Sequence, residues 1–151
     1  MPSLFRALLI ALALVSVTAC TSKPLMNPGR SLPTTLHPND EQMKHAILTT
    51  LVKRKWEVQR IDPGLIQAQI TVRGEFHAEI DIPYTLDFYQ IKYRDSRGLD
   101  YKDGKIHKNY NRWVRLLDKG ILRELRDDQA NTTARNIAGG VTPQGVPQTV
   151  Q

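Results

Sequence analysis

The sequence predicts an α+β domain: a two-layer fold with a four-stranded antiparallel sheet carrying two helices on one face, in the order αββββα. Three observations predict it. Two amphipathic helical patterns, one closing near Lys55 and one opening at Ile106, bracket the middle of the chain. Between them apolar and polar residues alternate at period two, the pattern of strands with one buried face. Turn residues such as Asp62-Pro63-Gly64 and Asp95-Ser96-Arg97-Gly98 separate those runs. Helices confined to one face of an antiparallel sheet give a two-layer domain.

The chain opens on a different kind of segment. Met1 to Arg6 carries one side-chain cation, Ala7 to Val17 is uncharged and rich in Leu and Ala, and Val17-Thr18-Ala19-Cys20 follows. A cationic start, an apolar run and a small-residue cleavage site form an export signal. The apolar run is shorter than the roughly 20 residues that span a bilayer. Val17-Thr18-Ala19-Cys20 resembles the bacterial lipobox. That resemblance implies a lipoprotein signal peptide over residues 1–19 and acylation of Cys20, which becomes the first residue. Stable anchoring takes two acyl chains or more. Thr21, in place of Asp, implies sorting to the periplasmic face of the outer membrane. An ordinary secretory signal with a chance Cys is the weaker reading, because Cys20 is the only Cys. No disulfide is then available.

The elements follow in order. Residues 20–38 hold Pro24, Pro28, Gly29, Pro33 and Pro38 without apolar periodicity, and read as a flexible tether. A single domain is expected over residues 39–126. Asn39 and Gln42 have the spacing of a capping box. Met43, Ala46, Ile47, Thr50 and Leu51 then form a helical stripe, closed by Lys53-Arg54-Lys55 near the negative end of the dipole. Trp56 to Ile61 reads as a strand with Trp56 and Val58 on one face.

Ile66, Ala68, Ile70 and Val72 form one face of the next strand, and Phe76, Ala78, Ile80 and Ile82 one face of the strand after it. A two-residue turn at Arg73-Gly74 would set apolar against polar residues. A three-residue loop, Arg73 to Glu75, sets Val72 against Phe76, Ile70 against Ala78 and Ala68 against Ile80. The polar face then pairs Thr71 with His77 and Gln69 with Glu79, which makes His77 an exposed sheet residue. Leu86 to Arg94 resumes as a strand, but both of its faces carry apolar groups, which implies a bulge or burial on both sides.

Ile106 opens the longest helix. Ile106, Tyr110, Trp113, Leu117 and Ile121 share one stripe, and Lys108, Arg112, Arg115, Lys119, Arg123 and Arg126 share a narrow face opposite. Gly120 weakens the helix or lets it pack closely. Residues 127–151, rich in Asn, Thr, Gln, Gly and Pro, read as a disordered tail.

The segment Ile106-His107-Lys108-Asn109-Tyr110-Asn111-Arg112-Trp113, with Tyr89 to Ser96 and Leu99-Asp100-Tyr101 before it, resembles a family of small lipoproteins of Gram-negative bacteria that share an I-H-x-x-Y-N-x-W segment. The likeness covers roughly residues 40–125. It implies compartment and domain limits and supplies no activity.

No nucleophile elbow, zinc-binding helix, P-loop or dinucleotide fingerprint is present. Asp95, Ser96 and His107 have the residue types of a triad, but no spacing requires one. Tyr93, Tyr101, His107 and Asn111 are the candidate binding residues; the competing expectation is that His107 and Asn111, as i, i+4 neighbours on the helix, hydrogen-bond the Asp95–Tyr101 loop and fix it against the last helix. Neither a metal nor a cofactor is expected. Lys and Arg outnumber Asp and Glu by 21 to 15, and only Arg6 of those cations precedes Cys20. The mature chain is therefore basic enough to favour acidic partners. The expected partners are the membrane, through Cys20, and an anionic lipid or acidic envelope protein at the basic face; an exported chain excludes nucleic acid. The expected role is a non-catalytic binding or envelope-assembly accessory factor. A small envelope hydrolase using the His107 region and a purely structural envelope protein are the alternatives.

Overall fold

Strict alternation over Leu65–Val72 and Phe76–Pro83 dictates the centre of the molecule. In the computed structural model, which describes residues 21–140, these segments pair antiparallel with Val72 opposite Phe76, Ile70 opposite Ala78 and Ala68 opposite Ile80. That is the register of the three-residue loop. Arg73 and Gly74 both take positive φ there. Residues 1–19, read above as a signal, together with Cys20 and residues 141–151, lie outside the described residues.

The elements are β1 (Ser22–Pro24), β2 (Gly29–Ser31), α1 (Asp40–Lys53), β3 (Glu57–Asp62), β4 (Leu65–Val72), β5 (Phe76–Pro83), β6 (Phe88–Gln90), β7 (Lys92–Arg97), β8 (Lys105–His107) and α2 (Lys108–Gly140). Among the described residues the class is α+β, with two helices and antiparallel strand pairs. The main sheet is four-stranded, in the order β3-β4-β5-β7. The element order is not αββββα, however, because two further two-stranded sheets, β1-β8 and β2-β6, flank it. One buried cluster joins Ile66, Ala68, Ala78, Ile80 and Ile82 of the sheet to Met43, Ile47 and Leu51 of α1 and to Tyr110, Val114, Leu117 and Ile121 of α2.

Helix α1 forms where the pattern predicts. Asn39 accepts from the Gln42 backbone at 2.8 Å and the Gln42 side chain accepts from the Asn39 backbone at 2.9 Å, a complete capping box. Its buried residues are Met43, Ala46, Ile47, Thr50 and Leu51. Gly120 lets α1 and α2 approach closely: a Cβ at this position would lie 2.6 Å from Thr50 Cγ2. In β3, Trp56 is buried just before the strand, but Val58 is exposed. Val58 pairs with buried Ala68, so it keeps the expected face, and its exposure reflects the position of β3 at the edge of the sheet.

Four expectations need correction. Residues 21–38 are not a free tether. Pro24 and Pro28 keep the backbone extended, and extended backbone at a sheet edge can pair. Ser22 accordingly lies opposite His107, and Gly29 opposite Gln90. The segment from Leu86 to Arg94 is not one strand. It breaks at Ile91, whose N–H goes to Pro28 O at 2.8 Å, so β6 and β7 serve different sheets. That division explains the mixed parity. The last helix begins at Lys108 rather than Ile106, because Ile106 and His107 pair with Lys23 and Ser22. It also continues through residues 127–140, which were expected to be disordered. Extending a helix already nucleated is far easier than starting one, and Gln129 donates to Thr35 O at 2.6 Å, tying the extension to the body.

Candidate functional site

The α-helical period places six of the seven cations of α2, those from Lys108 to Arg126, within about 80° of its circumference, with Arg135 on the opposite side. The buried residues Tyr110, Val114, Leu117, Ile121 and Leu125 occupy another arc, centred roughly 160° away. Lys108, Arg112, Arg115, Lys119, Arg123 and Arg126 are consequently all exposed. Arg123 lies 3.8 Å from Asp127. Among the described residues, the other five pair with no acidic side chain. Arg115 Nε donates to the Asn111 carbonyl at 3.3 Å, which folds that side chain along the helix.

Successive cations stand three or four residues apart, and like charges at this spacing destabilise a helix by about 0.2–0.5 kcal/mol per pair. Five such neighbours would cost about 1–2.5 kcal/mol in the absence of screening. Between Lys108 and Arg123 the only acid on the helix is Asp118, and it points into the body. A groove of about 450 Å³ opens on the N-terminal half of this face, lined by Lys108, Asn109, Arg112, Arg115, Leu116 and Lys119. Four cations and one aliphatic side chain, with no carboxylate in the lining, suit an anion that carries some apolar surface.

Among the described residues, the four singled out for binding divide between separate sets of contacts, with Tyr93 and Tyr101 in one and His107 and Asn111 each in its own. Tyr93 and Tyr101 pack with their rings tilted by 36° and centroids 4.6 Å apart, and Tyr93 meets Tyr110 edge to face at 5.6 Å. Tyr93 also shares a hydrogen bond with Ser96 Oγ at 2.9 Å. Burial raises the Tyr93 and Tyr110 phenols above their ordinary values. His107 stands in β8 rather than on the helix, so it is not a helical neighbour of Asn111. Its ring stacks on Phe76 at 6.0 Å, and its Nδ1 accepts from the Asn109 backbone at 3.2 Å. The His107 backbone donates to Leu99 O at 2.8 Å, so the loop is fixed through the main chain. Asp95, Ser96 and His107 make no nucleophile–base contact with one another among the described residues.

Asn111 has a structural assignment. It is 4% exposed, accepts from the Met26 backbone at 3.1 Å and donates to Pro24 O at 2.7 Å. It clamps the N-terminal segment onto α2. His77 lies on the outer sheet face, between Thr71 Oγ1 at 2.9 Å and Glu79 at 3.2 Å. Hydrogen bonding from His77, aided by Arg94 and opposed by desolvation, lowers the Glu79 carboxyl below its ordinary value. Arg94 continues this polar ladder to Asp81 and to Gln59.

The sequence reading did not find one cluster. Arg30 of β2 donates to both oxygens of Asp118, at 2.9 and 2.5 Å, and the buried Tyr89 hydroxyl donates to Asp118 Oδ1 at 2.9 Å. Burial opposes the charge on Asp118, but the hydrogen bonds from Arg30 and Tyr89 outweigh it and hold the carboxyl below its ordinary value. Burial raises the Tyr89 phenol, with the Asp118 charge adding to the effect. Two signals could have found the cluster. Arg30 is the only Lys or Arg between Lys23 and Lys44, and Asp118 lies seven residues after Asn111 beside the apolar stripe.

Neither the family models nor the curated proteins compared with the chain give a match. A function must therefore be argued from these residues themselves.

Proposed function

We propose that the protein is an outer-membrane-anchored periplasmic lipoprotein whose domain binds rather than catalyses, as an accessory factor in the envelope. The observation that carries this reading is the exposed basic face of α2, whose mutual repulsion lowers helix stability unless an anion relieves it. The lipobox at Val17 to Cys20 supports the anchor, and the absence of Asp after Cys20 supports outer-membrane sorting. No helix of the described residues is long and apolar enough to cross a membrane, so on this reading attachment falls to Cys20. The anionic partner is a lipid headgroup or an acidic envelope protein.

Intact mass measurement of the native protein tests the anchor. The expected mass is that of a chain starting at Cys20 with acyl groups added; an unmodified chain overturns the anchor. Crosslinking in intact cells tests the binding face. Arg112→Glu with Lys119→Glu should reduce capture of envelope components through α2, and unchanged capture overturns the role of that face.

A further inference from the structure

We propose that the groove formed by Lys108, Asn109, Arg112, Arg115, Leu116 and Lys119 takes the phosphate headgroup of an anionic phospholipid in the bilayer that carries the anchor, so that α2 lies along that surface. This inference rests on the anchored reading and adds its orientation and ligand.

Position is the first argument. The Lys108 backbone N–H donates to Thr21 O at 2.9 Å, and β1 pairs with β8 immediately before α2. Leu25 N donates to Gly104 O at 2.8 Å, and Asn111 grips Pro24 and Met26. The chain is thus fastened to the body from Thr21 onward. Cys20 is one Cα step from Thr21, about 3.8 Å. Acyl chains on Cys20 would therefore enter the bilayer beside the Lys108 end of the groove, without the slack of a flexible leash. Restricting slack raises the effective concentration of headgroups at the groove.

Charge and size are the second argument. The groove volume of about 450 Å³ falls in the range of small-molecule sites, roughly 300–1,000 Å³. Leu116 offers apolar contact for a glycerol or acyl carbon next to the phosphate. The neighbouring 99–104 loop is mixed, with Asp100 and Asp103 beside Lys102, so the bias toward anions comes from α2.

Length is the third argument. From Lys108 to Arg126 the helix runs about 27 Å. An upright helix would keep only its first two or three cations within the Debye length of about 10 Å. A helix lying flat keeps all six, and each cation near an anionic surface is worth roughly fivefold in affinity.

The test uses the lipidated protein in vesicles of phosphatidylcholine, with or without about 30% phosphatidylglycerol. An environment-sensitive fluorophore is placed on Leu116→Cys and, in a separate sample, on Ile61→Cys of the edge strand β3, where Ile61 is half exposed. The expected result is loss of water contact at position 116 on phosphatidylglycerol vesicles only, with position 61 unchanged. Arg112→Glu with Lys119→Glu should abolish it while circular dichroism shows the fold intact. If the protein floats with both kinds of vesicle but position 116 stays wet on both, the headgroup site is wrong and the anchor stands. If the protein does not float with vesicles, the anchored reading itself fails. The same spectral change with inorganic phosphate and no vesicles would make a soluble anion the ligand and overturn the assignment.

Discussion

Replacing Asn111 by Ala should release the N-terminal strap before it unfolds the domain. Asn111 satisfies two backbone groups 85 and 87 residues away, the Met26 amide and the Pro24 carbonyl. Each hydrogen bond contributes about 1 kcal/mol net, and an unsatisfied buried partner adds about 1–3 kcal/mol. Ala recovers a few tenths of a kcal/mol through its higher helix propensity. The balance is about 2.5–4.5 kcal/mol of lost strap stability. Because every 1.4 kcal/mol is tenfold, local opening should become roughly 60- to 1,600-fold more frequent. The reporters are the Leu25 amide, bonded to Gly104 O, and the Ile91 amide, bonded to Pro28 O; neither bond is removed by the substitution itself. Native-state hydrogen exchange should accelerate at both, with Ile80 in the central sheet much less affected. Unchanged exchange at Leu25 and Ile91 in a folded variant would refute the clamp, and with it the claim that the chain after Cys20 lacks slack.

Four further outcomes are expected. The Asp118 contribution to stability should be fully present above the unfolded carboxyl value, about pH 4, and be lost as pH falls through the lower folded value; acid unfolding of Asp118→Asn should lack that component. Gly120→Ala should destabilise by about 1–2 kcal/mol in thermal melts despite the better helix former, because its Cβ meets Thr50 Cγ2, and Thr50→Ser should restore most of the loss. Tyr110→Phe should leave stability unchanged or raise it by up to about 1 kcal/mol in urea titration, since the buried Tyr110 hydroxyl has no hydrogen-bond partner among the described residues. Lys119→Glu turns two repulsive neighbours, Arg115 and Arg123, into attractive ones, and should raise the melting temperature by a few degrees at low salt.

What was legible in the sequence was local. The capping box at Asn39, the stripe of α1 and the register of β4 on β5 each depend on residues within about one hairpin or a few helical turns of one another. What was not legible was long-range. Proline-rich residues 21–38 look like a tether because propensity describes a segment alone, whereas Ser22 finds its partner at His107. The same blindness merged β6 with β7, since nothing within Leu86 to Arg94 says that Pro28 interrupts it. Of the candidate residues, the cations of α2 were readable from helical spacing alone. Asn111 was misassigned because its use depends on backbone groups of a segment thought to be free.

The strap and the basic face are connected through Asp118. On a helix of mixed charge, Asp118 would neutralise Lys119 or Arg115, and the cation stripe would be an ordinary solvated surface. Here Arg30 takes both carboxylate oxygens and Tyr89 takes one of them again, so the charge of Asp118 is directed away from that surface. The same ion pair fixes β2, and so holds the N-terminal segment along the flank of α2 next to the cations. A single buried carboxylate thereby gives the outer face little compensation beyond the Arg123–Asp127 contact, and keeps the chain that follows Cys20 beside it. A free tether would have made neither the Arg30–Asp118 pair nor the Asn111 contacts.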